Sequence, residues 1–219
     1  VHRGTGHSMG VTDLLGEWIS LNPGLLDVRP GRKIHPVHRL DLEASGALLL
    51  AVKTSAARAA KRAFEERSVT KVYLAVVAGP MPAEGELKGK IRSKLRGRYR
   101  HLPASLSYRR LRGDDRLSLV EVKPEGGRTH QIRALMARSG RPLAGDLRYG
   151  KPKPAQQFLE RFGVGHFLLH AWRLGLPGEV TGRPLLVEAP LPTVFHSVIE
   201  QKGWGPLEQD PEGEWVALD

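Results

Sequence analysis

The chain has 219 residues, 40% hydrophobic and 26% charged, which is the size and balance of one globular domain with a sizeable core. No run of about 18 apolar residues could span a bilayer, no signal-peptide pattern opens the chain, and the absence of Cys excludes disulfides, thiolate zinc sites and cysteine nucleophiles. Lys and Arg number 34 against 23 Asp and Glu, a net charge of +11, and such an excess fits a polyanionic partner. A cytoplasmic, monomeric protein without membrane attachment is expected.

Leu14, Leu15, Trp18 and Ile19 recur at helical spacing and predict a helix over Val11–Ile19, with Thr12 as its cap and Asn22-Pro23-Gly24 as its end. A loop rich in Pro and Gly follows from Val28 to Pro36. Ala47–Lys53 contains the longest apolar run and predicts a buried strand. Thr54 is placed to cap a helix from Ser55 to Arg67. In Thr70–Ala78, Val72, Leu74 and Val76 alternate with Lys71, Tyr73 and Ala75, a strand pattern.

Lys88, Lys90, Arg92, Lys94, Arg96, Arg98 and Arg100 occupy successive even positions. In an extended chain this period of two sets all seven on one side. Gly85, Gly89 and Gly97 interrupt the stretch, so residues 80–103 predict a flexible arm or twisted hairpin. One or two charges are enough to protect an edge strand from aggregation. Seven in register favour a nucleic-acid contact.

Ser105–Leu111 and Leu117–Val122, joined by Gly113-Asp114-Asp115, predict a hairpin. A helix is expected over Thr129–Ser139, with Ile132, Leu135 and Met136 on its apolar side and Gly140 at its end. Pro152 and Pro154 predict a loop. Strands are expected over Phe167–Leu176 and Leu185–Ala189, a last helix over Thr193–Gln201, and a loosely held acidic tail after Gly203. Strands interleaved with helices and several hairpins predict an α+β or mixed α/β domain.

Two segments carry candidate chemistry. His38-Arg39-Leu40-Asp41 sets a carboxylate in an electropositive loop ahead of an apolar run. Gly127-Arg128-Thr129-His130-Gln131-Ile132-Arg133 lies where a turn enters a helix, a place that attracts anions. His35 with His38, and His166 with His170, have no acidic ligand at helical spacing, so no metal is expected. No phosphate-binding glycine loop and no G-x-S-x-G nucleophile motif is present.

These blocks, taken in order, resemble the RluA-type RNA pseudouridine synthase family. The resemblance runs through His38-Arg39-Leu40-Asp41, Ser45-Gly46, Leu48-Leu49-Leu50-Ala51, Lys71-Val72-Tyr73-Leu74-Ala75, Gly127 to Arg133, Gly145-Asp146 with Tyr149-Gly150, and Leu169-His170-Ala171. It implies an α+β fold with a mixed, mainly antiparallel sheet and flanking helices, no S4 domain, a catalytic domain over 1–202 and a tail over 203–219. Glu43-Ala44-Ser45 stands where Thr-Ser is common in the family. The Lys-Pro-x-Gly strand end that commonly precedes the segment matching Val1–Gly10 is absent, which suggests a truncated or processed start.

The resemblance further implies isomerisation of uridine in structured RNA, ribosomal or transfer, to pseudouridine without a cofactor. Asp41 is then the catalytic carboxylate, attacking C1′ or removing the C2′ proton. Arg133 pairs with it, and a cation at that place favours the carboxylate form. Tyr73 is the active-site aromatic, stacking on uracil and helping to remove the C5 proton. Arg39 enters the RNA stack where the target base leaves it, a role suited to a planar guanidinium. His38, Arg128, His130 and Gln131, with Thr129, position loops or phosphates, and Leu40 and Ile132 line the pocket or pack beneath it. The basic arm is read as RNA-binding from period and charge alone. A non-catalytic RNA-binding or ribosome-assembly protein on the same fold is the alternative, and a metal-dependent nuclease a third.

Overall fold

The computed structural model describes residues 10–24, 28, 31–95, 97–205 and 207. Its elements run α1 (Val11–Leu21), β1 (His35–Pro36), β2 (Ser45–Gly46), β3 (Leu50–Ala51), α2 (Thr54–Glu65), β4 (Thr70–Ala78), β5 (Glu84–Leu95), β6 (Arg98–Gly113), β7 (Leu117–Pro124), α3 (Gln131–Arg138), α4 (Pro152–Phe162), β8 (Leu169–Leu176), α5 (Gly178–Thr181), β9 (Leu185–Glu188) and α6 (Thr193–Gln201). Two units are distinguished, Val1–Leu40 with Leu48–Val69 and Leu176–Leu185, and Asp41–Ala47 with Thr70–Gly175 and Leu186–Asp219.

In the first unit, β1 and β3 pair antiparallel. α2 buries Ala57, Ala60 and Ala63, three small residues on one helical stripe. Leu49 N–H donates to His38 Nε2 at 2.9 Å, and the His38 ring stacks on Phe64 with centroids 4.7 Å apart.

The second unit is a seven-stranded sheet in the order β2-β8-β4-β7-β6-β5, with β9 also paired to β8. Only β2–β8 is parallel among the registered pairs of this path. Strand alternation splits the core. Ala75, Val77, Leu106, Tyr108, Val120 and Val122 pack with Ile132, Leu135 and Met136 of α3. From the opposite face, Leu74, Val76 and Leu119 meet Phe158, Leu159 and Phe162 of α4 and Phe195, Val198 and Ile199 of α6. Each fully buried side chain of this size contributes roughly 1.5–3 kcal/mol, so the sheet is held from both sides. Among the described residues, no helix is long and apolar enough to cross a membrane.

The α+β reading and the main strands hold, with several corrections. Only Leu50–Ala51 of the expected strand Ala47–Lys53 is extended into a pair, because Ser45-Gly46 takes the pairing on β8 and Gly46 turns the chain at φ +109°. Thr12 lies inside α1. Its start is fixed instead by Gly10 N–H donating to Asp13 Oδ2 at 2.9 Å. α2 already includes Thr54, follows Lys53, and stops at Glu65, before Arg67 at φ +63°. α3 begins at Gln131, not Thr129, because His130 is left-handed. The loop expected at Pro152 and Pro154 is the helix α4. Both prolines sit in its first turn, where a missing N–H breaks no intrahelical bond, and Gly163 at φ +64° ends it.

The basic stretch is the β5–β6 hairpin, and its cations do not share one side. Arg92 pairs with His101 and Lys90 with Pro103, whereas Arg100 pairs with Ser93 and Arg98 with Leu95. The reversal changes parity, so even positions of β5 share a face with odd positions of β6. Lys88, Lys90 and Arg92 therefore lie opposite Arg98 and Arg100. Arg96, the side chain of Lys94, Val1–Met9 and almost all of the tail after Gly205 fall outside the described residues.

Candidate active site

The segment Asp41–Ala47 is fastened to β8. Ser45 and Gly46 pair with His170 and Ala171, and Ala47 N–H donates to Ala171 O at 2.8 Å. A Cβ on Gly46 would stand 2.2 Å from Ala171 O, so this contact requires glycine twice over, for space and for φ. Ser45 Oγ and His170 Nδ1 share a hydrogen bond of 2.8 Å, and His170 Nε2 lies 3.3 Å from Ala189 O. With Nε2–H donating to that carbonyl, Nδ1 accepts the Ser45 hydroxyl proton. His170 is buried, and burial lowers its pKa, partly offset by Ala189 O.

Asp41 is thereby set beside α3. Its carboxylate is 17% exposed, with Oδ2 3.7 Å from Arg133 Nη1 and Oδ1 3.9 Å from His130 Nε2. The firm partner of Arg133 is Asp146. Nε donates to Oδ2 at 2.7 Å and Nη2 to Oδ1 at 3.0 Å. The backbone N–H groups of Arg148 and Tyr149 also donate to Asp146 Oδ1, each at 3.0 Å. Burial alone would raise the Asp146 pKa, but these donors hold it below the usual carboxylate value. Burial works likewise against the Arg133 cation, which Asp146 first and Asp41 next keep raised. The guanidinium lies over the Phe167 ring at 4.1 Å and near that of Tyr149 at 5.2 Å.

Gly145 makes this turn possible. It is at φ +82°, and a Cβ there would stand 2.6 Å from Leu159 Cδ2. Sequence reading paired Arg133 with Asp41 alone and left Asp146 without a role. The buried two-point clamp is invisible in spacing, although Asp146 and Tyr149 share one of the blocks that carry the resemblance.

Tyr73 lies on β4, half-buried against the α3-side core. Burial first and the Asp41 charge next push its pKa up to about 12. The phenol is therefore protonated throughout the neutral range. His130, at φ +55°, shares a 3.1 Å hydrogen bond between Nδ1 and Tyr149 Oη. A non-glycine residue held left-handed is a strained position of the kind that clusters at functional sites. Burial lowers the His130 pKa, while Asp41 opposes that shift. The structure thus gathers Asp41, His130, Arg133 and Asp146 into one cluster. The sequence signal for His130 is its motif alone, which implies only the positioning of loops or phosphates.

The remaining expected residues are placed as follows. Gln131 is buried, accepting Arg128 N–H at 3.0 Å and donating to Ser105 O at 2.8 Å, so it ties α3 to β6. Arg128 is half-buried, with Nε 3.5 Å from Pro103 O. Ile132 is a core residue beneath the cluster. Arg39 is exposed and Leu40 half-buried, and His38 is engaged with Leu49 and Phe64 as described. Among the described residues, no group of three or more His, Asp or Glu is placed to hold a metal.

Residues 25–138, just over half of the chain, match the family model described as RNA pseudouridylate synthase. A tRNA pseudouridine synthase C of Pectobacterium carotovorum is 33% identical over 84% of this chain and 54% of its own length. That of Salmonella typhi is 31% identical over 83% of this chain and 77% of its own. The Ribosomal large subunit pseudouridine synthase C of Vibrio cholerae is 33% identical over 87% and 59%. The chain therefore spans only about half the length of the first of these relatives and three quarters of the second. Human RNA Pseudouridylate Synthase Domain Containing 4 shares the fold at TM-score 0.71 and 23% identity, covering 91% of this chain and 84% of that one. Its human counterpart Domain Containing 1 superposes at TM-score 0.63 with 29% identity, over 75% and 73%. By the family match and by relatives above 30% identity that it covers to three quarters, the chain belongs to the RNA pseudouridylate synthase family.

Proposed function

We propose that the chain isomerises uridine to pseudouridine in structured RNA, transfer or ribosomal, with Asp41 as the reacting carboxylate. The observation that carries this reading is the placing of Asp41, 3.7 Å from an Arg133 whose other edge is clamped by buried Asp146. In the reaction the N1–C1′ bond breaks, the uracil turns, C5 bonds to C1′, C5 loses its proton and N1 gains one. Asp41 either attacks C1′ or removes the C2′ proton, and both roles use the ionised acid. Arg133 stabilises that charge without moving, because Asp146 fixes its fork.

Tyr73 stacks on the turning uracil as a neutral phenol. With a pKa of about 12, it is not a phenolate base at neutral pH. Its hydroxyl relays the C5 proton, accepting that hydrogen as it passes its own to solvent water. Arg39 occupies the vacancy left by the extruded base, which costs a few kcal/mol to unstack. Arg128 and the hairpin cations Lys88, Lys90, Arg92, Lys94, Arg96, Arg98 and Arg100 engage phosphates, consistent with the charge of +11. His130 joins the reacting cluster in place of a purely phosphate-binding role. Relatives named for transfer RNA and for large-subunit ribosomal RNA support both substrate classes.

The test is pseudouridine mapping of total RNA from cells with and without the protein. New pseudouridines at defined positions are expected. An unchanged map, with tight RNA binding retained, favours the RNA-binding alternative.

A further inference from the structure

The β5–β6 hairpin carries two charged surfaces on opposite faces of one sheet. Its inner face continues the core that holds Tyr73 and α3, with Ile91 and Ser93 buried and Arg98 and Arg100 exposed beyond them. Its outer face carries Lys88, Lys90, Arg92 and His101, all exposed, and Tyr99, which is 64% exposed. The Arg92 guanidinium lies 4.3 Å from the Tyr99 ring centroid. Glu84 and Glu86 stand at the other end of this face, and Glu86 Oε2 holds Lys88 Nζ at 2.7 Å. The cations rise along the strand roughly every 6.7 Å, twice the residue repeat.

We propose that this outer face binds a second, unpaired segment of the substrate RNA, separate from the segment that presents uridine to Asp41. The proposal rests on the reading of the chain as an RNA-modifying enzyme and extends it to how the RNA is held. An exposed aromatic ring joined to a stacked guanidinium is a platform for a nucleobase, and neighbouring lysines follow the phosphates. Duplex RNA keeps its bases stacked on one another and offers no ring to Tyr99. Carboxylates at Glu84 and Glu86 repel phosphate, so the segment is confined to the tip half of the face. A strand lying along the inner face cannot also meet Lys90 and Arg92, whose side chains point the other way. A second segment is therefore required.

The experiment uses oligoadenylate of about 12 nucleotides, a length within ordinary single-strand site sizes. It contains no uridine and so reads the surface apart from the pocket. Fluorescence anisotropy across a salt series is measured for the parent, for Lys90→Ser/Arg92→Ser, for Arg98→Ser/Arg100→Ser, for these four substitutions combined, for Tyr99→Ala and for Tyr99→Phe. The outer double variant should lower the log–log salt slope by about 1.4, some 0.7 per phosphate contact. Tyr99→Ala should weaken binding about tenfold, while Tyr99→Phe keeps parent affinity. The outer and inner losses should add in the combined variant, as separate sites do. Parent-like affinity and slope in the outer variants overturns the proposal, as does tighter binding of a duplex of equal length. Tritium release from C5-labelled uridine RNA by the parent is measured alongside. Its absence overturns the proposed activity and leaves the surface result to stand on its own.

Discussion

Arg133 grips Asp146 with two hydrogen bonds of 2.7 and 3.0 Å and keeps one nitrogen, Nη1, turned to Asp41. The two acids thus have different tasks. Asp146 is fully buried and saturated by four donors, whereas Asp41 is 17% exposed and, among the described residues, meets Arg133 Nη1 at 3.7 Å and His130 Nε2 at 3.9 Å. The first is scaffold, and the proposed reaction falls to the second.

Asp146→Asn should therefore destabilise the fold, because it leaves the buried Arg133 cation with Asp41 alone, at 3.7 Å, as its counter-charge. The cost expected from breaking a buried pair is about 3–5 kcal/mol. Urea unfolding reads it as a lower midpoint. A midpoint equal to the parent's would show that the clamp is not structural.

Much of this was legible in the sequence. β4 and β7 follow from alternation, and the motifs single out Asp41, Tyr73 and Arg133 as candidates. What escaped was long-range. Asp146 acts through a buried contact thirteen residues from Arg133, which spacing cannot distinguish from a turn-capping acid. The one-sided basic arm failed because a hairpin reversal changes the parity of facing positions. α4 reads as a loop because Pro152 and Pro154 break a helix interior, although the first helical turn tolerates them.

Tyr73→Phe should keep RNA affinity while the single-turnover rate falls by at least about tenfold, since only the hydroxyl is lost. Tyr73→Ala should lose affinity as well, because stacking goes with the ring. Equal rates in parent and Phe variant would remove the hydroxyl from the mechanism.

The Ser45–His170 bond should matter for rate more than for binding. Ser45→Ala frees one fastening of the Asp41 segment, 2.8 Å long, and should lower the single-turnover rate with RNA affinity intact. Ser45→Thr retains the hydroxyl and should restore it. Gly46→Ala, forced against Ala171 O, should be worse than Ser45→Ala in both rate and thermal midpoint. The order is checked by assaying the three variants side by side, and a harmless Gly46→Ala would refute the described turn.

Stability should decline on acidification. His130 and His170 have folded pKa values below the usual 6.5, so the unfolded chain takes up protons first as pH falls. Their contribution is complete above about 6.5 and shrinks as the pH drops toward the folded values. Asp146 adds a second decline below its usual 3.8, as the pH approaches its depressed folded value. Thermal midpoints measured downward from neutral pH should fall. A His170→Asn variant should show a shallower fall near pH 6, and an identical slope would exclude His170 as a contributor.

The central claim is that Asp41 is the reacting carboxylate. It is tested most directly by single-turnover tritium release from C5-labelled uridine RNA, comparing the parent with Asp41→Asn, while filter binding follows the same RNA. The Asn variant should release no tritium and bind within about tenfold of the parent, a difference below ~1.4 kcal/mol. Release by Asp41→Asn at the parent's rate would contradict the account.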